Sequence, residues 1–461
     1  MKTLRRTALS MKTMPLAVMA AVALSACMNL APKHERPALP VPPQLPAAAS
    51  DVPDTVPGAN ALAWRDFVRD PALVKLVEQA LAYNRDLRVA VLNVDRARAQ
   101  LRVSEADRWP TVNAGLIAQR APNTITQEQQ NTFQLGAQVS SWEVDFWGRI
   151  RNLNDAARAQ LLSTEAGRRS AELSIVSSVV NAALALRTDA QLEQLARDAV
   201  TSREESLRLT RMRFDVGAAS QLELQTAESL VAQGRTAVAQ AQRQRALDLN
   251  TLQLLTGVGT EPVPAEGLTL APVPVAQNSE VLLQRPDVVQ AEATLMQAAA
   301  NIGAARAAFF PRILLTGQAG QASTQFEDLF ESGHFAWSIG ANLLAPIFDA
   351  GRNRANLESA KVGREIAVAQ YEKAIQSAFK DTADALAGLG TWRDQVLAQT
   401  RQRDAARDIS RLTALRFENG AASLLERLDA ERNVLTAEQA LLQAQLAEQS
   451  NRVALFRAMG S

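Results

Sequence analysis

The chain has 461 residues, which is enough for two or three domains, and its formal net charge at pH 7 is only +1. Charged residues make up 21% of the sequence, so nothing indicates the strongly basic surface of a nucleic-acid-binding protein. His34 and His334 are the only histidines and Cys27 is the only cysteine, which excludes a histidine triad, a histidine metal centre and a disulfide. We therefore expect no enzyme, no metal and no nucleic-acid partner.

The first 26 residues resemble a bacterial lipoprotein signal peptide, with a basic start, an apolar segment and the sequence Leu-Ser-Ala-Cys at its end. This pattern predicts that Cys27 becomes the lipidated first residue of the mature protein, and no other cofactor is expected. An ordinary signal peptide, or a short membrane helix with an incidental cysteine, is the alternative. Met28 stands where an aspartate would favour retention at the inner membrane, so the outer membrane is the expected location.

Two segments of the chain are nearly the same sequence. Residues 213–228 read RFDVGAASQLELQTAE and residues 416–431 read RFENGAASLLERLDAE, 203 residues further on. In each segment a glycine followed by a serine predicts that one helix ends, a tight turn follows and a new helix begins. The chain is therefore a tandem duplication, with a first repeat over residues 64–257, a second over residues 286–461 and hairpin tips near residues 217 and 420.

The segments outside the repeats are rich in proline. Residues 27–63 carry too many prolines for a helix or a sheet, and we expect an extended strap there. Residues 258–285 contain proline and glycine and form the connector between the repeats.

Each repeat contains a stretch in which apolar and polar residues alternate, and this pattern predicts β-hairpins at residues 110–144 and 311–347. A soluble sheet packed on helices is one interpretation. A membrane barrel is favoured because the strands have roughly 10 residues, one face is small and polar, and aromatic residues gather at the hairpin ends. Four strands cannot close a barrel alone, so other copies of the chain must complete it.

Long segments without proline follow each hairpin, near residues 152–214 and 353–417, and shorter segments return from the tips. At about 1.5 Å per residue, the longer ones predict helices on the order of 90 to 100 Å. Their narrow apolar stripes are typical of a packed tube wall.

Many short motifs in this chain resemble those of the outer-membrane factor family, the TolC-like exit ducts, and specifically of its OprM-like lipoprotein branch. They include WRDF at 64–67, NRDLR at 84–88, FWGR at 146–149, QRPD at 284–287, IGAARAAFFP at 302–311, QYEKAI at 370–375 and the two hairpin tips. The resemblance implies a mainly α fold with a membrane β-barrel, each repeat having two long and two shorter helices plus one hairpin. It also implies a homotrimer with a 12-stranded barrel and a 12-helix periplasmic tunnel.

The same resemblance implies functional residues at the tips. Acidic residues past the turns would form rings around a closed periplasmic gate, with an aromatic residue before the turn, at Glu223, Glu426, Asp429 and Phe417. The turns would dock a periplasmic adaptor protein, at Val216, Gly217, Ala218, Gly420, Ala421 and Ala422. Ala422 stands where some members carry an arginine of the latch, and Phe417 has no hydroxyl group, so the latch of those members does not transfer. Without the resemblance, these acids would be ordinary solvated charges.

The function implied is a passive outer-membrane exit duct of a tripartite efflux pump for drugs or other small toxic compounds. Its partners would be the adaptor and an inner-membrane resistance-nodulation-division pump. A duct for type I protein secretion is the alternative within the channel class, and a coiled-coil lipoprotein without a channel is the alternative outside it.

Overall fold

The computed structural model describes residues 29–33, 35–46, 62–123, 127–259, 270–275 and 277–460. Cys27, the signal-like segment and His34 lie outside the described residues. The chain forms two compact units, and each unit takes residues from both repeats. The described part of the first unit comprises residues 29–37, 93–164 and 290–371, and the second comprises most of the remainder.

The chain is mainly helical. The first repeat contains α1 (Trp64–Phe67), α2 (Pro71–Tyr83), α3 (Arg85–Ala106), α4 (Arg149–Asp215) and α5 (Gln221–Thr256), and the second contains α6 (Pro286–Ala307), α7 (Arg352–Glu418) and α8 (Leu424–Ala458). Helices α4 and α7 have 67 residues each, which corresponds to about 100 Å of helix. Within the part of the chain that is described, no helix is both long enough and apolar enough to cross a bilayer.

The second repeat departs from the predicted two shorter helices. It has one shorter helix, α6, before its hairpin, and the segment before α6, which lies in the connector, is a six-residue 3₁₀ helix, Ser279–Gln284. Pro286 explains the break before α6, because a proline disfavours helical backbone in the residue before it, but not the difference, since Asn84 at the equivalent break also has an extended backbone, with φ of −61° and ψ of 131°. Arg285 accordingly has an extended backbone, with φ of −60° and ψ of 137°.

The predicted strands are confirmed, and all four lie in one antiparallel sheet in the first unit. Strands β1 (Asn113–Pro122), β2 (Gln129–Val144), β3 (Arg312–Ser323) and β4 (Phe335–Leu344) follow one another in that order across the sheet. Strand β2 therefore joins the two repeats through its pairing with β3. Strands β1 and β4 each pair along one side only among the described residues.

The register of the sheet separates apolar from polar side chains. Gly115 lies opposite Gly136, which lies opposite Gly320, and a row of Asn113, Gln138, Gln318 and Ser338 runs beside these glycines on the same face. The other face carries most of the large apolar side chains, including Leu116, Leu135, Leu315, Phe335, Trp337, Ile339 and Leu343. A sheet with one apolar and one small polar face suits contact with lipid on one side and with water on the other.

Aromatic and charged contacts hold the junctions between helix and strand in the first unit. The ring of Trp147 stacks on Phe310 at a centroid distance of 4.5 Å, and its indole N–H donates to the carbonyl of Pro311 at 2.9 Å. Arg149 makes a bidentate ion pair with Glu143 at 2.8 Å. The turn between β2 and α4 is therefore held to the segment before β3 by Trp147 and to the end of β2 by Arg149.

The proline-rich strap is held against the body at several points. In the first unit Arg36 donates to both carboxylate oxygens of the buried Glu292, at 2.9 and 3.0 Å, and Arg306 donates to the carbonyl of Leu30 at 2.8 Å. In the second unit the hydroxyl of Ser279 donates to the carbonyl of Pro42 at 2.6 Å. The described residues of the strap, 29–33 and 35–46, are thus tied to the rest of the chain without forming a helix or a strand longer than one bridge.

The second unit has its own apolar core. Phe67 and Phe456 are fully buried and stack with their ring centroids 4.3 Å apart. The buried guanidinium of Arg285 donates to the carbonyl of Ala458 at 2.9 Å and forms an ion pair with Asp287 at 2.7 Å. This arginine therefore ties the connector to the end of α8.

A carboxyl pair links α4 to α5 in the same unit. Burial raises the pKa of Asp189 to about 7, with a further contribution from hydrogen bonding and repulsion with Asp248. Asp189 lines a cavity of about 950 Å³ between the four long helices, and Arg243 is the other charged residue in its wall. At neutral pH Asp189 is therefore protonated part of the time.

We predict that Asp189→Asn removes a pH dependence of stability. The pKa of Asp189 is higher in the folded protein than in the unfolded chain, so its contribution is complete below the unfolded value and is lost as the pH rises through about 7. The melting temperature of the wild type should fall between about pH 5 and about pH 8.5, and that of the variant should fall less. Asp198→Asn, on the same helix, is the matched control. An equal slope for wild type and Asp189→Asn would contradict the prediction.

Candidate functional site

The two hairpin tips have the same backbone geometry. The N–H of Ala218 donates to the carbonyl of Arg213 at 2.7 Å, and the N–H of Gly217 donates to the carbonyl of Phe214 at 2.9 Å. This pair of hydrogen bonds is the Schellman motif, which requires a left-handed residue, and Gly217 has φ of +74°. In the second tip the same bonds join Ala421 to Arg416 at 2.7 Å and Gly420 to Phe417 at 3.0 Å.

Each tip is also closed by an arginine side chain from the preceding helix. Arg213 donates to the carbonyl of Ala218 at 3.4 Å, and Arg416 donates to the carbonyl of Ala421 at 3.0 Å. The six residues predicted to dock an adaptor, Val216, Gly217, Ala218, Gly420, Ala421 and Ala422, all lie in these turns. Val216 is 78% exposed, and a side-chain carbon placed on either glycine would meet no atom within 4 Å. The turns therefore present a small, rigid and open surface.

Glu223 and Glu426, predicted as gate acids, are bound to the backbone at the starts of α5 and α8. Glu223 accepts the N–H of Ser220 at 2.6 Å, while the hydroxyl of Ser220 accepts the N–H of Glu223 at 3.2 Å. Ser423 and Glu426 repeat this capping box with the same two distances. The backbone N–H of each serine lowers the pKa of its glutamate, so both carboxylates stay ionised at neutral pH.

The other two predicted gate residues are held by arginines. Asp429 forms an ion pair with Arg432 at 3.0 Å, one turn further along α8. The guanidinium of Arg427 lies 5.4 Å from the centre of the Phe417 ring and also pairs with Glu431 at 3.0 Å. Arg427 thus connects the end of α7 to the start of α8 through a cation–π contact.

The structure brings the two hairpins together around one cavity of about 330 Å³. Asp429 lines this cavity, and so does Thr226, which occupies the equivalent position in the first repeat. Leucines form much of the wall, and charged residues accompany them, namely Asp198, Arg203, Glu431, Arg432 and Glu438. Of the predicted gate acids, Asp429 is the one that faces the other hairpin here.

Sequence reasoning missed the arginines that organise the tips. Arg213 and Arg416 were recognisable, because they begin both copies of the repeated segment. The capping boxes were also recognisable from serine and glutamate three residues apart. The contact between Arg427 and Phe417 has no such signal, since Leu224 occupies the position equivalent to Arg427 in the first repeat. Among the described residues, no cluster of side chains could hold a metal ion.

The sequence profile of the outer membrane efflux protein family matches the chain twice, over residues 76–258 and residues 278–461. The chain belongs to this family. The probable efflux pump outer membrane protein TtgC of Pseudomonas putida is 39% identical over 445 residues, which cover 94% of this chain and 92% of TtgC. The cation efflux system protein CusC of Escherichia coli is 36% identical over 459 residues, which cover 97% of this chain and 99% of CusC.

The fold is also that of solved members of the outer membrane efflux family. The open state of the MtrE outer membrane channel of Neisseria gonorrhoeae superposes with a TM-score of 0.85 at 34% identity, covering 94% of this chain and 98% of MtrE. This chain is accordingly an outer-membrane efflux channel protein and not an enzyme. Each of the two profile matches lies largely within one of the two repeats.

We predict that Glu426 caps α8 through its hydrogen bond and not through its charge, so that the two properties can be changed separately by substitution. Ser423→Ala should destabilise the start of α8 by about 1 kcal/mol, because the N–H of Glu426 loses its acceptor. Glu426→Gln should keep the cap, since glutamine can also accept the N–H of Ser423. Hydrogen exchange of the first turn of α8 measures both effects. Faster exchange in Glu426→Gln than in Ser423→Ala would contradict this assignment.

Proposed function

We propose that three copies of this chain form one continuous outer-membrane exit duct. The sheet supports this assembly, because it has one apolar face and an unpaired side on each of β1 and β4. Only helices and closed barrels satisfy the backbone in a bilayer, and four strands are too few to close. Three sheets of four strands give a barrel of twelve. This open-sided sheet is the single observation that carries the proposal.

The long helices form the periplasmic part of the duct in the same proposal. Each copy contributes the hairpins α4–α5 and α7–α8, so three copies supply twelve helices. The duplication supports this arrangement, because two equivalent hairpins per copy give a wall with approximate sixfold symmetry. The buried alanines along these helices, such as Ala183, Ala385 and Ala444, allow the close helix packing that such a wall needs.

A gate at the hairpin tips is part of the proposal. Glu223, Glu426 and Asp429 would place six to nine carboxylates around the narrow end of the duct, where they repel one another and favour cations. Phe417 would act through Arg427, which it contacts at 5.4 Å. The cavity shared by Thr226 and Asp429 supports a gate between the hairpins, because it lets one hairpin move against the other.

The proposed partners are a periplasmic adaptor protein at the two turns and an inner-membrane resistance-nodulation-division pump behind it. The turn residues Val216, Gly217, Ala218, Gly420, Ala421 and Ala422 support docking, because their backbone is rigid and their surface is open. The cargo would be drugs or other small toxic compounds. The names of TtgC and CusC, an efflux pump protein and a cation efflux protein, favour efflux over protein secretion.

A lipid on Cys27 would be a second attachment to the outer membrane. Arg306 and Arg36 support this part of the proposal, because they hold the residues just after Cys27 against the first unit, which also contains the sheet. A lipid attached there would therefore stay close to the start of β3, which begins five residues after α6 ends.

We predict that neutralising the gate acids opens the duct. Asp429→Asn combined with Glu426→Gln should raise the single-channel conductance in planar bilayers and increase the sensitivity of cells to large antibiotics, because the closed aperture loses the attractive contacts with arginine, such as the 3.0 Å pair of Asp429 with Arg432, that compensate the repulsion between the acids. The glutamine keeps the helix cap, so the effect would be due to charge. Glu448→Gln, an acid far along the same helix, is the control. Unchanged conductance in the double variant would remove both residues from the gate.

We predict that Cys27→Ser abolishes lipid labelling but leaves a trimer in the membrane, because the proposed barrel holds the protein there. Metabolic labelling with a fatty acid measures the first effect, and the native mass of the detergent-extracted protein measures the second. A monomeric mass for the wild-type protein would overturn the trimer, and loss of all membrane insertion in the variant would argue against a barrel.

A further inference from the structure

The cavity that Asp189 lines lies between the long helices and away from the hairpin tips. It has a volume of about 950 Å³, and its wall comes from α4, α5, α7 and α8, all within the second unit. Asp189 and the end of α4 at Asp215 are separated by about 40 Å of helix. This cavity, called the inter-repeat cavity below, is therefore separate from the proposed gate, and the proposed function gives it no role.

The two repeats build the inter-repeat cavity from equivalent positions. An offset of 203 residues relates Asp189 to Trp392 and Gln240 to Gln443, and all four residues line the cavity. Four further pairs at the same offset also line it, namely Leu192 with Gln395, Ala196 with Gln399, Ala237 with Ala440, and Ala241 with Ala444. The matched alanines leave the space open, whereas the residues from α4 and α7 differ. One half of the wall therefore offers a carboxyl group and the other half offers an indole ring.

Two oxygen atoms of residues in this wall lack hydrogen bonds. Oδ2 of Asp189 and Oε1 of Gln399 are buried, and neither accepts a hydrogen bond from the described residues. An ionised carboxylate and an amide oxygen can only accept hydrogen bonds. Buried polar atoms in proteins are nearly always paired, so two such acceptors beside one cavity indicate a ligand that donates hydrogen bonds.

The charges around the inter-repeat cavity favour a cation. Asp248 of α5 interacts with Asp189, and Gln244 in the cavity wall donates to Asp248 at 3.2 Å. Arg243 of α5 is the basic residue among those that line the cavity, and it is exposed. The lining residues from α7 and α8 carry no charge. Two carboxyl groups therefore stand against one exposed guanidinium group.

We propose that the inter-repeat cavity binds a protonated organic amine, with its ammonium group at Asp189 and Gln399 and its apolar part against Trp392. An ammonium group donates to both oxygen atoms and pairs with the carboxylate. The face of an indole ring attracts a cation and also packs against an apolar group. A cavity of this volume is large enough for a drug-sized molecule. An amine suits the site better than a metal ion does, because the described side chains form no cluster of metal ligands.

Calorimetric titration of the full-length protein in detergent tests the site, with phenethylamine as the probe and 2-phenylethanol as its neutral match. The two molecules share a ring and a chain, but only phenethylamine carries an ammonium group. We expect phenethylamine to bind about tenfold more tightly, because only it pairs with the carboxylate. Its affinity should rise several-fold between about pH 6 and about pH 8. The reason is that the pKa of Asp189 is about 7, whereas the probe stays protonated over this range.

Substitutions in the cavity wall should change the affinity in opposite directions. Asp189→Asn should weaken phenethylamine binding about tenfold and remove its rise with pH. Arg243→Gln should tighten binding, because an opposing positive charge is lost, and this variant tests the site even if Asp189→Asn is unstable. Trp392→Leu should weaken the binding of phenethylamine more than that of 2-phenylethanol.

Glu205→Gln is the matched control, because Glu205 is an exposed acid further along α4 that pairs with Arg208. It should leave the affinity for phenethylamine unchanged. Equal affinities of the two probes, or the absence of binding by both, would overturn the proposal. Equal losses in Asp189→Asn and Glu205→Gln would do the same, as would an affinity that stays constant or falls in Arg243→Gln.

Discussion

A β-strand in lipid needs a hydrogen-bonding partner along both of its sides, because hydrocarbon offers none to the backbone. The four strands have eight sides, of which the three pairings use six, and β1 and β4 each keep one side without a partner among the described residues. The fold of a single chain is therefore unfinished in a membrane. The apolar and polar faces of the sheet and its two unpaired edges therefore support the proposed assembly of several copies around an axis.

Because the chain is a tandem duplication, the same structural motifs recur in both repeats. Inside the chain, β2 meets β3 across the boundary between repeats, and Trp147 covers Phe310 beside that boundary. At the tips, both repeats use the same Schellman turn and the same capping box. The repeats differ in the position of one arginine. In the first hairpin Arg211 of α4 pairs with Glu228 of α5. In the second hairpin Arg427 pairs with Glu431 within α8 and makes a cation–π contact with Phe417 of α7. The two hairpins thus have equivalent backbones but different side-chain contacts between their helices.

The sequence revealed the parts of the fold that depend on local pattern. The alternation around Leu135 and Trp337 predicted strands, and the glycine and serine near residues 217 and 420 predicted the turns, because period and turn chemistry are local properties. The 3₁₀ helix before Pro286 was missed, because the proline indicates only the break that follows it. Contacts between distant segments, such as Asp189 with Asp248 or Arg427 with Phe417, could not be predicted, since they depend on how the helices align. At the candidate site, the positions of the two turns were predictable, whereas the hydrogen bonds that Arg213 and Arg416 make across them were not predicted.

In the proposed duct, the capping boxes restrict how the charge at the hairpin tips can be varied. Glu223 and Glu426 each complete a helix start, so a residue that cannot accept the serine N–H would fray the hairpin that it belongs to. Thr226 and Asp429 line the cavity between the hairpins and take no part in the capping boxes. In the proposed gate, changes at these two positions can therefore alter the electric field of the aperture while both helix starts remain intact.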